Sequence, residues 1–228
     1  MQRRDFLRVA ALAATTLPAT RAFSETQPTK PMKILILGAS GSLGAYVIDA
    51  LVKKGAPGGV KLRLFARNPK RVERFKGEHI EITQGDALDT AALAAALQGC
   101  DAVYAGLSGE LEALARSVVA AMQQAGVKRL VWISSYGIHG EVPDGTRAPA
   151  AYANSARIIM DSPLDYTVIR PQWFSSADEV NYETTSWNAR EQFKNPDGQI
   201  SRKSIADLVA RCVFEGFGTR DSLGINRK

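Results

Sequence analysis

The stretch LILGASGSLGAYV, residues 35–47, decides the fold. It runs from a continuous apolar segment through three glycines, Gly38, Gly41 and Gly44, into a helical pattern. Each glycine has a mechanical task. Gly38 permits a tight turn out of a strand, Gly41 lets the backbone approach a pyrophosphate, and Gly44 lets a helix lie close on the strand. The amides at the start of that helix, together with its dipole, face the phosphates. A glycine triplet alone is a weak signal and also occurs in purely structural turns. The strand before it and the helix after it supply the context that phosphate binding requires. Gly38, Ala39, Ser40, Gly41, Ser42, Leu43 and Gly44 are therefore candidate contacts to a dinucleotide.

Outward from this loop, apolar runs alternate with helical patterns. MKILIL (32–37), VKLRLFA (60–66), HIEIT (79–83), DAVYAG (101–106), RLVWIS (129–134) and DYTVIR (165–170) read as strands. Most are nearly continuous in apolar character, as strands buried on both faces must be. One helix opens near Leu43, one runs from Asp89 as N-cap to Gly99, and one spans 110–126. A late helix covers Ser204 to Glu215, with Ser204 and Asp207 in capping-box spacing. The alternation predicts a doubly wound, Rossmann-like parallel sheet in three α/β/α layers. It forms a single domain over 32–228 with a small C-terminal lobe.

Composition narrows the remaining classes. The formal net charge is +6, but several of the basic residues lie in the first 24 positions. The others are scattered without Arg/Lys runs interleaved with aromatics, so no nucleic-acid partner is expected. Of the two cysteines, Cys212 falls on the apolar stripe Ile205, Leu208, Val209, Val213, and Cys100 sits where a helix gives way to a strand. Two unpaired structural thiols are expected. No His/Cys/Glu spacing suggests a metal, and neither Gly-x-Ser-x-Gly nor paired carboxylates suggest hydrolysis.

Residues 1–24 have the three parts of a secretory leader: basic Arg3, Arg4 and Arg8, an apolar run from Val9 to Ala19, and small residues around Ala22-Phe23-Ser24. The apolar run is shorter than the about twenty residues needed to cross a bilayer core, so no stable membrane span is expected after cleavage. Arg3-Arg4-Asp5-Phe6-Leu7 resembles the twin-arginine export signal, from which Gln2 and Arg8 depart at the flanks. That resemblance implies the twin-arginine export machinery as a partner and a periplasmic or otherwise exported location. The route moves folded proteins with cofactor already in place. The alternative is a disordered basic N-terminus. Residues 25–31, ETQPTKP, read as a linker.

A site that reads the ribose 2′-hydroxyl of a dinucleotide usually ends its second strand in an acidic residue, about twenty residues beyond the glycines. Here that region is LFARNP, with Arg67 and Asn68 and no carboxylate. A guanidinium suits a 2′-phosphate, so NADP(H) is expected over NAD(H). The alternative is an ordinary solvated charge at a strand end.

The glycine spacing, GDALD (85–89), ISSYG (133–137), YTVIRP (166–171), WFSSADEVNYETT (173–185) and SRKSIADLV (201–209) together resemble the extended and atypical short-chain dehydrogenase/reductase superfamily. Within it they are similar to the NAD(P)H-binding subgroup of NmrA-like and biliverdin-reductase-B-like proteins. The resemblance implies further cofactor contacts at Asp86 and Ala87 on the adenine side, at Gly106 and Leu107 after the fourth strand, and at Ser134 and Pro171. Many members of the superfamily use Tyr-x-x-x-Lys for proton transfer. In AYANSARIIM (151–160) Tyr152 has Ala156 at the lysine position, and Arg157 follows one residue late, about 100° round a helix. The motif is broken.

Ser135, Tyr136 and Tyr152 are the candidate catalytic residues. The first two lie at the carboxyl end of a central strand, where ligands bind in such sheets. Trp173, Phe174 and His139 are candidate substrate contacts. The aromatics read equally as core of the C-terminal lobe, and His139 reads also as a surface residue. Two functions stay open. One is an NADPH-dependent reductase passing hydride to a flat small molecule: a flavin, quinone or carbonyl compound. The other is an NmrA-like sensor that binds NADP(H) and catalyses nothing. A nucleotide-sugar epimerase or dehydratase falls behind, because it needs the intact Tyr–Lys pair.

Overall fold

The apolar run before the glycines is strand β1 (Met32–Leu37), and its Ile34 to Leu37 are buried because neighbours flank it on both sides. It belongs to a computed structural model that describes residues 30–55, 58–142 and 144–228. The expected leader, residues 1–24, and most of the expected linker lie outside the described residues.

After β1 come α1 (Gly44–Lys54), β2 (Val60–Ala66), two short 3-10 turns, β3 (Ile80–Gln84), α2 (Thr90–Ala96), β4 (Ala102–Ala105) and α3 (Leu111–Ala125). The second half adds β5 (Arg129–Ile133), α4 (Ala150–Met160), β6 (Asp165–Pro171), β7 (Phe174–Ser175) and β8 (Glu183–Ser186). It closes with β9 (Ile200–Ser201), α5 (Arg202–Glu215) and β10 (Asp221–Asn226). The main sheet has eight strands in the order β3-β2-β1-β4-β5-β6-β10-β8. Every neighbouring pair is parallel except β10 with β8. β7 and β9 form a separate two-stranded ribbon.

Alternation of side chains along each strand feeds two apolar layers. On one face Ile34, Ile36, Leu62 and Leu64 meet Val47 and Leu51 of α1 and Leu208 and Cys212 of α5. On the other, Leu35, Leu37, Val103 and Trp132 meet helices α2, α3 and α4. This is the doubly wound three-layer architecture. The chain order reverses between β1 and β4, which places the crevice for a ligand there, outside the carboxyl ends of the strands.

Local chemistry explains most boundaries. Asp89 caps α2 by accepting from the Ala92 N–H at 3.0 Å, and Gly126 ends α3 in the left-handed conformation. The late helix differs from expectation. It starts at Arg202, and its cap is Ser201, whose Oγ accepts from the Ser204 N–H at 3.0 Å. The expected cap, Ser204, is already inside the first turn. Asp207, its supposed partner, instead accepts from the Tyr182 hydroxyl at 2.7 Å and pairs with Lys54. Both cysteines are buried and unpaired. No helix among the described residues is long and apolar enough to cross a membrane.

Candidate functional site

Two clefts open beside the carboxyl ends of the parallel strands. The first, about 690 Å³, lies where the loops after β1, β2, β3 and β4 converge. The glycine loop forms its floor through two tight turns, with Gly41 N–H bonding Gly38 O at 2.9 Å and Gly44 N–H bonding Gly41 O at 3.2 Å. Gly38 has φ +89°, and a Cβ there would stand 2.0 Å from Gly106 O. A Cβ on Gly44 would stand 2.5 Å from Ala39 O, so helix and loop touch only because it is absent. α1 has no side-chain cap and no acidic residue in its first turn. Its amino terminus is therefore left to attract an anion from outside the helix.

Ten of the expected cofactor residues line this cleft: Gly38 to Gly41, Arg67, Asn68, Asp86, Ala87, Gly106 and Leu107. Ser42, Leu43, Gly44, Ser134 and Pro171 do not. Ser134 is buried and spends its hydroxyl on the Tyr152 carbonyl at 3.3 Å, while Pro171 O accepts the Tyr136 N–H at 3.0 Å. Asn68 Oδ1 caps the following 3-10 turn through the Lys70 N–H. That turn brings up Arg71, a second guanidinium on the cleft wall that the sequence reading passed over, although the Asn68-Pro69 pair announces the turn. Arg67 and Arg71 are exposed, and neither is paired with a carboxylate among the described residues. A dinucleotide fits this donor set: glycine backbone and an uncapped helix end for the pyrophosphate, and two cations where β2 ends.

The second cleft, about 650 Å³, is walled by Tyr136 and Trp187, with Arg170 and Glu141 beneath and Thr185 and Asn188 beside them. Arg170 is 2% exposed. It is paired with Glu141 and donates to Ser222 O at 3.1 Å. The Glu141 carboxylate also accepts the Gly137 and His139 N–H groups at 3.1 and 2.8 Å. Burial pushes this carboxyl up, but Arg170 and the backbone donors outweigh it and hold it below the usual carboxylate range. Burial, with Arg170 adding to it, pushes His139 down to about 4, so its ring is neutral at physiological pH. That ring stacks on Trp187 at 4.1 Å and bonds the Ser222 hydroxyl at 3.0 Å.

The structure separates the three catalytic candidates. Tyr136 faces the second cleft. Ser135 turns its hydroxyl to the Tyr136 carbonyl at 3.2 Å. Tyr152 lines neither cleft and packs against the helical layer of α2, α3 and α4. Position 156 is fully buried in that layer, and Arg157 is exposed. Trp173 is 81% exposed, and Phe174 lies under Arg202 with 5.0 Å from guanidinium carbon to ring centroid; neither lines a cleft. Trp187, Glu141 and Arg170 were missed. An arginine inside the apolar strand DYTVIRP was a legible signal. Nothing local distinguished Glu141 or Trp187 before the chain folded.

A family model described as NAD(P)H-binding matches residues 38–216. A solved Rossmann-fold NAD(P)-binding family protein from Shigella flexneri is 37% identical, with a TM-score of 0.72 over 86% of this chain and 93% of that one. A short-chain dehydrogenase/reductase from Veillonella parvula DSM 2008, solved in complex with NADP, shares the fold at a TM-score of 0.73 and 22% identity, over 86% of this chain and 95% of that one. Among curated relatives, quinone oxidoreductase 2 of Escherichia coli (strain K12) is 31% identical over 78% of this chain and 61% of that protein. A (4-alkanoyl-5-oxo-2,5-dihydrofuran-3-yl)methyl phosphate reductase of Streptomyces griseus subsp. griseus is 33% identical over 68% of this chain and 50% of that protein. The match thus takes in between half and about three-fifths of those relatives' own length.

Proposed function

The chain belongs to the NAD(P)H-binding family, and from that premise we propose that it is an NADPH-dependent reductase acting on a flat organic acceptor: a quinone, a flavin or a conjugated carbonyl compound. The observation that carries this reading is the pair of clefts on one sheet. One is built from glycine backbone and cations, and the other from two aromatic walls over a buried arginine. When bound, the nucleotide supplies the hydride. The chain holds its pyrophosphate on the glycine loop and positions the acceptor between Tyr136 and Trp187. Arg67 and Arg71 favour a 2′-phosphate, because a guanidinium meets phosphate with parallel N–H donors and a carboxylate is missing at the end of β2. The relatives named as quinone oxidoreductase and reductase lend the acceptor class its support.

The test is NADPH absorbance loss with a panel of quinones, flavins and small carbonyl compounds, with Arg67→Ala run beside the wild type. The expected result is turnover with at least one acceptor, and a KM for NADPH raised about tenfold or more in the variant, about the loss of one charge-assisted contact. The second reading, a nucleotide-binding sensor, is favoured by the buried Ala156 where a catalytic lysine would stand. It predicts saturable NADPH binding with no consumption. Export through the twin-arginine route is a further proposal, resting on Arg3 and Arg4. Replacing both by lysine should leave the protein in the cytoplasmic fraction.

A further inference from the structure

We propose that Tyr136 is the proton donor of the second cleft and that the buried Glu141–Arg170 pair, in place of a lysine on α4, holds it there; this rests on the reductase reading. The usual arrangement is closed to this chain. Tyr152 faces neither cleft, and a lysine at position 156 would be buried among the apolar side chains of α4's inner face. Tyr136 is fixed differently. Its N–H is anchored on Pro171 O at the end of β6, and its hydroxyl rests on the Glu141 carbonyl at 3.3 Å, a long bond that an acceptor oxygen can displace.

The loop carrying Tyr136 is folded by Glu141, whose carboxylate gathers the Gly137 and His139 N–H groups. That carboxylate is pinned in turn by Arg170, which also reaches across to Ser222 O on β10. The guanidinium carbon lies 6.0 Å from the Tyr136 ring centroid and 5.8 Å from that of Trp187, under both walls of the cleft. Arg170 Nε is buried with no hydrogen-bond partner among the described residues. A buried pair of this kind is poor evidence for stability, since desolvation consumes most of its attraction. Its placement under the one tyrosine in the cleft points to positioning.

The charges facing Tyr136 set its protonation. Glu141 and Arg170 stand beneath it, Arg190 and Glu191 line the same cleft, His139 on its own loop is neutral, and Asp221 lies behind Arg170. Burial raises the phenol above its ordinary value, Glu141 adds to this, and Arg170 opposes it. The phenol therefore stays protonated through neutral pH, as a donor must. With nucleotide and acceptor both bound, the nucleotide would supply a hydride to one atom of the acceptor and Tyr136 would supply a proton to its oxygen. The Tyr136 O–H bond would break as an O–H bond forms on the acceptor, and Arg170 would steady the phenolate until water returns the proton.

The test uses Tyr136→Phe, Tyr152→Phe, Arg170→Lys, Arg170→Met and Glu141→Gln. It reads steady-state kinetics across pH and, separately, phenol ionisation in nucleotide-free protein by tyrosine-labelled NMR, with Tyr136→Phe assigning the signal. Tyr136→Phe should lower kcat about a hundredfold, the scale of a lost general acid, with little change in KM. Glu141→Gln leaves Arg170 unopposed, so the Tyr136 phenol should titrate at lower pH and the alkaline limb of the rate profile should move with it. Arg170→Lys keeps a charge and should preserve more activity than Arg170→Met. A wild type that turns over while Tyr136→Phe keeps full kcat overturns the donor and leaves the reductase reading standing. Loss of turnover in Tyr152→Phe alone does the same. A Tyr136 phenol signal unmoved in Glu141→Gln overturns the positioning pair. A wild type that binds NADPH and reduces no acceptor sinks both readings together.

Discussion

At the scale of single residues, the glycine loop separates folding from binding. Gly38 holds φ +89° against Gly106 O, so Gly38→Ala strains the backbone and drives a methyl into a carbonyl. It should cost of order 2 kcal/mol or more of stability, read by urea denaturation, as well as nucleotide binding. A Cβ on Gly41 would stand 3.2 Å from Gly38 O, a crowding relieved by a shift of a few tenths of an ångström. Gly41→Ala should therefore melt close to the wild type yet, on the proposed placement of the pyrophosphate over the glycine loop, lose NADPH binding tenfold or more. Equal losses of stability in the two variants would contradict this division. His139 carries a pH prediction. Its pKa is depressed from 6.5 to about 4, so between those values the unfolded chain binds more protons than the folded one. Its contribution to stability is complete above about pH 6.5 and is lost as pH falls towards 4. The melting temperature of the wild type should fall more steeply over that window than that of His139→Gln.

At the scale of elements, the decisive devices are a cap and a folded loop. Ser201 sits at the junction of β9 and α5, where its hydroxyl caps the helix and bonds Glu179 O and Ser204 Oγ. Ser201→Ala should cost about 1–2 kcal/mol in urea unfolding with kcat unchanged, since α5 packs on the sheet face opposite α4 and lines neither cleft. The six strands that precede the C-terminal lobe were legible to within a residue or two, because each is an apolar run closed by turn chemistry. β8 and β10 were not. Glu183–Ser186 is polar, with a partner on one side alone, and Asp221–Asn226 contains a glycine, so neither carries the apolar pattern of a buried strand. The loop after β5 reads as Gly-rich and featureless; its shape comes from Glu141 reaching back to amides two and four residues earlier.

At the scale of the whole molecule, ligand binding couples to the entire fold, because the first cleft is made by loops from four strands. NADPH at a hundredfold excess over its Kd should add about 2.7 kcal/mol to the stability of the folded state. For a domain of this size that is about 5–10 °C in Tm. NADH at equal concentration should add less if Arg67 and Arg71 hold a 2′-phosphate, and Arg67→Ala should narrow the gap between the two; equal shifts in the wild type would remove the case for NADPH.

The sequence by itself determined the doubly wound sheet, the crevice beside β1 and half of the residues that line the first cleft. Those features rest on local rules: glycine's missing Cβ, apolar runs of strand length, and caps at helix ends. Of the second cleft the sequence offered Tyr136 as a candidate, and tertiary structure decided what surrounds it. Tyr136, Glu141, Arg170 and Trp187 come from a loop, a strand and an edge segment far apart in sequence, and β6, β10 and β8 must pair before they meet. Burial inside that assembly then sets their charges, neutralising His139 and tying Glu141 to Arg170. Neither the desolvation nor the partner exists in the unfolded chain.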